Sequence, residues 1–487
     1  MNPDLITLLV ACPFVGAILL VLARGKARNV LAFGLPAGYL IFGLAAVFGG
    51  KPDFPIQSRL MEMPWLGSDG SIPLRLDALG SVLLLVVLVI GVAVMAFSIF
   101  YMGPGNREHP VRNQEGNGRY FFFLSLFIGS MVGVALAGNL LALFIFWEIT
   151  TFCSYALISH RIFHAASVRA GFKALVMTHI GGVFFFCAVA IVYSATGSFA
   201  FEALRRLSPG LQAVVFVFLL IAATAKSAPV PLLTRLPDAM EAPTPVSANL
   251  HPAAMVKAGV YLMAPVIYES GTLPSWTGGL MAGLALVTMI VALIFYFYQD
   301  DLKRFLAFST IAQLGYIMLG LSLLMMGSRT GFRAGVFHIA CHAPAKALLF
   351  LCVGVLAMRL GVKSISGISG LSRTMPVVSV CFFVGLLAVT GIPPFSCFWS
   401  KLLLVVGILE LEGMALMLIA VPFALEIVLT FFWFLRVGQK VLFGEPSESV
   451  LAARREPGAG IVDGILIAVA ALTLVMPAIA YPFVESL

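Results

Sequence analysis

Long apolar runs separated by short polar connections organise this chain. Stretches of about 20 apolar residues, the length that an α-helix needs to cross a bilayer, recur about fourteen times. Their centres fall near residues 14, 40, 90, 127, 149, 184, 222, 258, 286, 315, 347, 388, 427 and 472. The longest polar interruptions, 50–76, 103–119 and 443–460, are too short for a separate soluble domain. The pattern predicts an all-α polytopic membrane protein, with 1–487 as a single transmembrane domain.

Proline interrupts two of the predicted helices next to a lysine. Lys226 precedes the segment SAPVP, and Lys401 follows the segment GIPPFSCFWS. Broken helices inside a membrane are tolerated only where the freed backbone faces protein or a water-filled cavity. Paired broken helices in the two halves of a chain are typical of a transport site. We therefore predict two broken helices that frame such a site.

A weak internal repeat accompanies these breaks. Two lysine pairs recur at nearly one offset: Lys173 with Lys346, 173 positions apart, and Lys226 with Lys401, 175 apart. The spacing favours one five-helix unit used twice, over about 118–268 and about 274–445. Five crossings is an odd number, so the second copy would be inverted across the membrane. The repeat fails at Glu148, because the position 175 further along is Leu323.

Composition agrees with a membrane location. The chain is 61% hydrophobic and 11% charged, with a mean hydropathy of +1.04, whereas a soluble domain is about half apolar and about a quarter charged. The net charge of +8 would suggest a nucleic-acid partner in a soluble protein; here we interpret it as topology determinants in loops. The first 24 residues lack a basic leader and a small-residue cleavage site, so we expect a retained first span rather than a signal peptide.

Loop charges predict an orientation. If the amino terminus is outside, inside loops hold 18 Lys and Arg, Arg235 among them, and outside loops hold 7; the five lysines within spans complete the 30. Positive charge favours the cytoplasmic side. We predict a multi-pass protein of the bacterial inner (cytoplasmic) membrane with both termini periplasmic.

Motifs for redox or nucleotide chemistry are missing from the sequence. None of the seven cysteines forms a CxxC pair, and all lie in apolar stretches, so we interpret them as small hydrophobic residues. The chain has no GxGxxG, no Walker loop and no c-type haem motif. We expect no cofactor and no metal in this chain, and we assign any redox centre to partner subunits.

Five lysines lie within apolar stretches, whereas every arginine lies outside them. They are Lys173, Lys226, Lys257, Lys346 and Lys401. A cation at the bilayer centre costs about 2.5–3.5 kcal/mol on insertion scales. A buried lysine can release its proton, whereas arginine stays charged. The presence of lysine and the absence of arginine in the apolar stretches indicate a region through which protons move.

A carboxylate and three histidines extend the lysine set. Glu148, deep in an apolar span, is the expected partner of Lys226, either as a proton switch or as a static ion pair. Lys257 follows His251 by six residues near the middle of the chain; it either connects the two halves or extends to a loop.

Further along, His338, His342 and Lys346 lie at i, i+4 and i+8, so they share one helix face. They form either a proton relay or a set of ordinary buried hydrogen bonds, and Pro344 interrupts their turn. Lys401 would release protons outward or extend to the helix end. The roles of Glu426 and Asp463 stay open.

Several runs resemble a known family. They are WEITTFCSYALI, AKSAPVPLLTRLPDAMEAPTPVSA, LHPAAMVKAGVY, DLKRFLAFSTIAQLGY and GIPPFSCFWSK. They resemble the proton-translocating antiporter-like subunits of the complex I membrane arm and of Mrp antiporters. NREHP, the run at Glu148 and GEPSES look most like component D of hydrogenase-4, in formate-hydrogenlyase type membrane-bound hydrogenases. The end at Leu487 leads us to expect that the chain is not the terminal complex I subunit, which carries a long lateral helix.

The resemblance implies fourteen helices with two inverted five-helix repeats. It implies functional roles at Glu148, Lys226, Lys257, Lys346 and Lys401. Cys397 stands where glycine is common in the family. The resemblance also implies sister antiporter-like subunits, a membrane anchor subunit and peripheral redox subunits as partners. Iron–sulfur clusters and a nickel–iron centre or quinone would be held by those subunits.

Three hypotheses follow from the sequence. The first is a proton-translocating subunit of a redox-driven complex. The second is an Mrp-type sodium/proton antiporter subunit without a redox partner. The third is a non-transporting membrane scaffold, which would tolerate neutral residues at the five lysines.

Overall fold

A computed structural model describes residues 4–49, 56–63, 71–104, 106–108, 116–271, 273–453 and 458–487. The last two residues of the NREHP run and the loop residues Lys51, Arg112, Arg454 and Arg455 lie outside these ranges. Within them the chain is almost entirely helical. The helices of the first half are α1 Asp4–Leu22, α2 Gly25–Gly49, α3 Ala78–Tyr101, α4 Asn117–Leu136, α5 Leu140–Ile158, α6 Ala165–Thr196, α7 Pro209–Ser227, α8 Arg235–Asp238, α9 Thr244–Leu250 and α10 Met255–Glu269.

The second half continues in the same style. Its helices are α11 Ser275–Phe297, α12 Leu302–Met325, α13 Arg329–Leu360, α14 Leu371–Thr374, α15 Pro376–Thr390, α16 Ser396–Leu409, α17 Gly413–Leu442, α18 Glu448–Leu451 and α19 Ala459–Glu485. Two 3₁₀ turns, Phe201–Arg206 and Ala239–Glu241, complete the helical elements among the described residues.

Thirteen spans in the described residues are long and apolar enough to cross a membrane, with α9 and α10 acting as one of them. The shorter α15 and α16 follow each other in series. The start of α15 borders a cavity with Asp463, near the start of α19. Glu410, just after α16, accepts a hydrogen bond from Ser328 at the start of α13, which lies beside the end of α19. The series α15–α16 thus begins at one end of the bundle and finishes at the other. The two segments therefore form one further crossing, and the predicted total of about fourteen is confirmed. The chain is a multi-pass integral membrane protein.

Both predicted helix breaks are present. The helix α7 ends at Ser227 and helical structure resumes at Arg235; α15 ends at Thr390 and α16 begins at Ser396. In contrast, Pro344 does not interrupt α13, which runs without a break from Arg329 to Leu360. The helix tolerates this proline because its full burial leaves neighbouring helices to support the local backbone.

A small antiparallel sheet, which the hydropathy pattern did not predict, marks one end of the bundle. Strand β1, Ile56–Glu62, pairs with β2, Ser71–Leu76, with an irregularity between Arg59 and Met61. The residues of β2 alternate between half-buried and buried, the period-two pattern of a strand on a core. Arg75 of β2 lies 3.3 Å from Glu269, so the end of α10 joins this sheet end.

The first described helix, α1, begins at the sheet end, and the last described residue, Leu487, also lies there. Thr7 in α1 hydrogen bonds Ser58 at 2.6 Å. Arg329, at the start of α13, donates to the Leu487 carbonyl at 2.7 Å. An even number of crossings requires this arrangement. The other end of the bundle, here called the opposite end, holds ion pairs such as Arg304–Asp238 and Arg161–Glu241.

The core centres on α13, which is buried along its length. It packs against α3, α9, α12, α15, α16 and α19. The apolar outer faces of α1, α2 and α17 carry exposed side chains such as Phe33 and Met414, as expected for surfaces that contact lipid.

Candidate functional site

Four of the five predicted lysines are buried inside the helix bundle. Lys226 in α7, Lys257 in α10 and Lys346 in α13 are fully buried, and Lys401 in α16 is 5% exposed. Each one comes from a different helix around the core. Their burial is therefore confirmed, and none of the four forms an ion pair within 4 Å with a carboxylate of the described residues.

Lys173 is a correction to the predicted set. Its side chain is 42% exposed, and its Nζ lies 2.5 Å from Asp238 Oδ2 at the opposite end. The helix α6 has 32 residues, more than the roughly 20 that cross a bilayer, so the first turns of α6, with Lys173, extend beyond the apolar layer. A cavity of about 440 Å³, also lined by Arg304 and Lys363, opens beside it.

The expected exclusion of arginine from the interior is wrong. Arg235, which was placed in an inside loop, is only 1% exposed. Its guanidinium donates to the Lys226 carbonyl and approaches Met255 Sδ at 3.3 Å. The short helix α8 folds into the break after α7, and this fold places Arg235 in the interior. Hydropathy cannot detect this, because the local sequence is polar and rich in proline.

Lys226 is held by the backbone and side chains of α5. Its Nζ donates to the Trp147 carbonyl at 2.6 Å and to Thr151 Oγ1 at 3.1 Å, and lies 4.2 Å from the centre of the Trp147 ring. A cation over an indole face is stabilised by the ring quadrupole. The predicted partner Glu148 follows Trp147 directly, so the two side chains leave the helix about 100° apart.

Glu148 makes a different contact. Its Oε2 lies 3.0 Å from His179 Nδ1, and its side chain is 25% exposed. A Cβ at Gly182 would lie 2.2 Å from Glu148 Oε1, so this glycine makes room for the carboxylate. Glu148 and Lys226 are neighbours without a direct ion pair in this structure. The carboxylate faces the edge of the bundle and the amine faces the core.

Lys257 connects α10 with α13. Its Nζ donates to the Ile339 carbonyl at 3.1 Å. Nearby, His251 lies between α9 and α10, 1% exposed, with its ring stacked on Phe350 at 4.9 Å. His251 Nδ1 is buried and has no hydrogen-bond partner among the described residues.

The predicted shared face on α13 exists. The rings of His338 and His342 stack with their centroids 5.7 Å apart. His338 Nδ1 lies 2.8 Å from Ser400 Oγ and its Nε2 lies 3.0 Å from Gln313 Oε1. Both nitrogens of His342 are buried without a partner in the described parts of the chain. One turn further, Lys346 donates to Ser309 Oγ at 2.7 Å.

Lys401 binds the freed end of the broken helix. Its Nζ donates to the carbonyls of Thr390 at 3.0 Å and Val389 at 3.2 Å. These are among the last carbonyls of α15, which have no partner within the helix. The negative end of the helix dipole also favours a cation there. Nζ lies 4.9 Å from the centre of the Tyr316 ring.

Sequence reasoning missed the polar side chains that surround these amines. Gln313 and Tyr316 on α12 and Ser400 on α16 contact the predicted residues directly. Glu426, whose role the sequence left open, is 1% exposed and bonded to Tyr316. A lone carboxylate in the apolar run of α17 was the available signal. Asp463, the other open position, lies near the start of α19 and pairs with Arg359 at 3.3 Å.

A second buried ionic cluster lies at the opposite end. Glu108 Oε1 lies 2.6 Å from Lys363 Nζ and 3.7 Å from Lys303 Nζ. Thr244 donates to its other oxygen at 2.9 Å, and Tyr101 also donates to it. The sequence placed both lysines in loops, yet Lys303 is 1% exposed.

Metal-ligand side chains do not cluster in the described ranges. No group of three or more His, Cys, Asp or Glu there has the geometry to hold a metal ion. The cysteines are free thiols, five of them buried. Proton exchange between amines, imidazoles and carboxylates is the chemistry that this site can support.

Residues 137–430, which include Glu148 and the four buried lysines, match the family described as NADH:quinone oxidoreductase/Mrp antiporter, TM. The chain belongs to this family. The resemblance stated from the sequence is thereby confirmed at this level.

Curated relatives include subunit 5 of chloroplast NAD(P)H-quinone oxidoreductases. The protein from Anthoceros angustus is 38% identical over 378 residues, which are 71% of this chain and 48% of the relative. The protein from Carpenteria californica is 34% identical over 417 residues, 80% of this chain and 53% of the relative. The chain therefore spans about half the length of the curated relatives it matches.

Solved structures share the whole fold. A chain in the Mrp complex from Dietzia sp. DQ12-45-1b superposes with a TM-score of 0.86 at 30% identity, covering 99% of this chain and 51% of that one. A chain in the membrane-bound sulfane sulfur reductase, an archaeal respiratory membrane complex, gives 0.84 at 25% identity, covering 100% and 96%.

Proposed function

We propose that this protein translocates protons from the cytoplasm to the outside, as an antiporter-like subunit of a redox-driven membrane complex. The single observation that carries the proposal is the burial of four amines without a carboxylate ion pair. A buried, unpaired ammonium is costly, and lysine relieves this cost by releasing its proton. Four such amines in one core make a set of sites that can alternate between charged and neutral.

Unsatisfied polar atoms support a hydrated route between the amines. Glu148 Oε1, His251 Nδ1, Gln313 Nε2 and both nitrogens of His342 are buried without a hydrogen-bond partner in the described chain. Buried polar groups are normally satisfied by protein or by ordered water. Positions of this kind beside the first, the middle and the last amines are sites where water would bind and conduct protons.

We propose an order of transfer along these residues. Glu148 with Lys226 would take up protons from the cytoplasm, and Glu148 is the more exposed of the two side chains. Lys257 connects the halves through α13, and Lys346 with Lys401 delivers protons outward, with His251, His338 and His342 between them. The five-helix units 118–268 and 274–445 would supply the two halves as inverted repeats.

The assembly is also a proposal. We place the chain in the bacterial inner membrane with both termini periplasmic, because cationic side chains such as Arg161 and Arg304 gather at the opposite end. Its partners would be sister antiporter-like subunits, a membrane anchor and peripheral subunits. Those peripheral subunits would hold iron–sulfur clusters with a nickel–iron centre or a quinone site, as in formate-hydrogenlyase type hydrogenases.

Reconstitution of the purified complex into liposomes tests this function. Lys226→Ala should lower redox-driven proton uptake by about tenfold or more, since it removes one carrier. Lys173→Ala is the matched control, because this lysine is half-exposed and paired with Asp238, and it should transport normally. Normal transport by Lys226→Ala would overturn the role of Lys226, and normal transport by neutral variants at all four buried lysines would make the chain a scaffold.

The similarity to a chain of an Mrp complex favours a second function, sodium/proton antiport without a redox partner. The driving force separates the two. A sodium gradient alone should drive proton movement if the second function is correct, whereas electron flow is required by the first. Iron–sulfur or nickel proteins in the purified complex would favour the first, and small membrane proteins alone the second.

A further inference from the structure

Glu426 is an enclosed carboxylate with a hydrogen-bond donor on each of its two oxygens. It lies in the middle of α17 and is 1% exposed. Thr430 donates to Oε1 at 2.8 Å and Tyr316 donates to Oε2. Tyr296 contacts the Thr430 hydroxyl in turn. A carboxylate that accepts two such bonds is arranged as an anion, since the ionised form is acceptor-only.

Tyr316 links this anion to a lysine. Its hydroxyl donates to Glu426, and its ring centre lies 4.9 Å from Lys401 Nζ. The same ring stacks on His338 with centroids 5.5 Å apart. One side chain of α12 thus contacts the carboxylate, the amine and the histidine of the predicted relay.

Charge balance explains why Glu426 and Lys401 both contact Tyr316. A buried anion needs a compensating cation, and Glu426 forms no ion pair within 4 Å among the described residues. Lys401 is the cation that shares Tyr316 with it. The pair is stable when both groups are charged or when both are neutral. Passing one proton from ammonium to carboxylate converts the first state into the second without changing the net charge.

The internal repeat shows why sequence reasoning missed this partner. The position equivalent to Glu148 is Leu323, a buried apolar side chain on α12. In the second half the carboxylate instead comes from α17. The position 175 residues before Glu426 is His251, so the repeat offset of the lysines gives no acidic counterpart for it. The packing of α12, α16 and α17 brings it to Lys401.

We propose that Glu426 is the carboxylate partner of Lys401 and exchanges a proton with it through Tyr316. In this step one proton leaves the Lys401 ammonium. The Lys401 side chain first turns from the Thr390 carbonyl to the Tyr316 hydroxyl, since in this structure it contacts only the ring of Tyr316. The hydroxyl then accepts the proton and gives its own to Glu426, which leaves an amine, a phenol and a carboxylic acid. This inference rests on the proposed function and adds a residue to its relay.

The test uses Glu426→Gln in the purified complex, reconstituted with the full chain. Glutamine keeps an acceptor for Thr430 or Tyr316 but carries no charge, so we expect normal assembly and about tenfold slower proton transport. Glu410→Gln is the matched control. Glu410 is bound by Ser328 and Thr330 at the sheet end, away from the relay, and its variant should transport normally. Infrared difference spectra should show a carboxylic acid C=O band during turnover that Glu426→Gln lacks.

The outcomes are separable. Slow transport by Glu426→Gln together with loss of the infrared band supports the proposal. Normal transport by Glu426→Gln while Lys401→Ala is inactive overturns it and leaves the proposed function intact. Normal transport by both variants overturns the role of Lys401 in the proposed function as well. If Glu426→Gln does not assemble, Tyr316→Phe decides, because it keeps the ring and removes the hydroxyl: slowed transport supports the link and normal transport overturns it.

Discussion

The two broken helices hold their lysines in opposite ways. Lys226 precedes the first break and extends away from it, toward Trp147 and Thr151 on α5. Lys401 follows the second break and turns back onto it, binding the carbonyls of Val389 and Thr390. The same sequence signature, a lysine beside prolines, therefore produces two different environments.

The freed carbonyls explain the difference. At the first break the Lys226 carbonyl is bound by Arg235, a cation that does not titrate in proteins. At the second break the carbonyls are bound by Lys401, which is proposed to carry protons. Lys226 Nζ therefore does not bind the backbone at its own break. Lys401 both binds the backbone at its break and is proposed to carry protons, so its deprotonation weakens the hydrogen bonds to the Val389 and Thr390 carbonyls.

The carboxylates near the two lysines also differ, in their exposure and in their hydrogen-bond partners. Glu148 is partly exposed and bonded to His179 at the edge of the bundle, whereas Glu426 is enclosed and bonded to Tyr316 and Thr430. The first half therefore presents an accessible acid beside its lysine, and the second half a sealed one. In the proposed function, the first acid belongs to proton uptake and the second to proton release.

Replacing either lysine with arginine should have the largest effect. Arginine keeps the positive charge but cannot release a proton, so Lys226→Arg and Lys401→Arg should each reduce proton transport by about tenfold or more. Proton uptake by reconstituted liposomes measures this, with Lys173→Arg as the control that stays active. Wild-type transport by either variant would show that the amine there acts as a fixed ion and never releases its proton.

Neutral substitutions should show that Lys401 stabilises its helix break more than Lys226 does. Lys401→Met leaves the Val389 and Thr390 carbonyls without their donor, whereas Lys226→Met leaves the Trp147 carbonyl still bound by Thr150 and Thr151. The first variant should be less stable than the second by about 1–3 kcal/mol, the cost of an unpaired buried acceptor. Both variants no longer bury an ammonium. The difference between their free energies of unfolding therefore reports the loss of the hydrogen bonds to the Val389 and Thr390 carbonyls.

Thermal unfolding of the purified protein in detergent measures that difference. Equal stabilities would mean that Lys401 does not close the break.

A smaller effect is expected from Gly182→Ala in the first half. The added methyl would lie 2.2 Å from Glu148 Oε1, so the carboxylate must rotate. We expect transport to fall severalfold with little change in stability, because alanine favours the helix. Gly283→Ala, where nothing lies within 4 Å of the new methyl, is the control. Unchanged transport would show that the position of Glu148 is not critical.

The smallest effect concerns His160, at the opposite end of the first half and outside the relay. Burial, with Arg119 and Arg161 nearby, lowers the pKa of His160 to about 4. The folded chain thus keeps His160 neutral in the range where the unfolded chain binds a proton. Stability should fall as the pH drops from about 6.5 toward 4, by about 1 kcal/mol after allowance for partial exposure.

Unfolding curves between pH 7 and pH 4 would reveal this loss. His160→Gln should flatten it and leave proton transport at pH 7 unchanged. An acid sensitivity that persists in the variant would assign the effect to another group.

Much of the site could be predicted because its signals are local. Burial of Lys226, Lys257 and Lys346 followed from apolar neighbours in the sequence, and the stacked face of His338 and His342 followed from helical spacing. The predicted burial of Lys173 was wrong because α6 is longer than the bilayer needs. The predicted exposure of Arg235 was wrong because a helix break can fold a polar segment inward.

The sequence by itself determined the number of crossings, the two breaks and the burial of Lys226, Lys257, Lys346 and Lys401. These depend on the apolar length of each helix and on where proline removes a backbone donor, which are properties of short segments. Only the tertiary structure decided which groups meet: Arg235 at the Lys226 carbonyl, Lys401 at the end of α15, and Glu426 beside Tyr316. Such contacts join helices far apart in the chain, and they exist because the packing of the bundle, rather than sequence spacing, sets which side chains share a buried space.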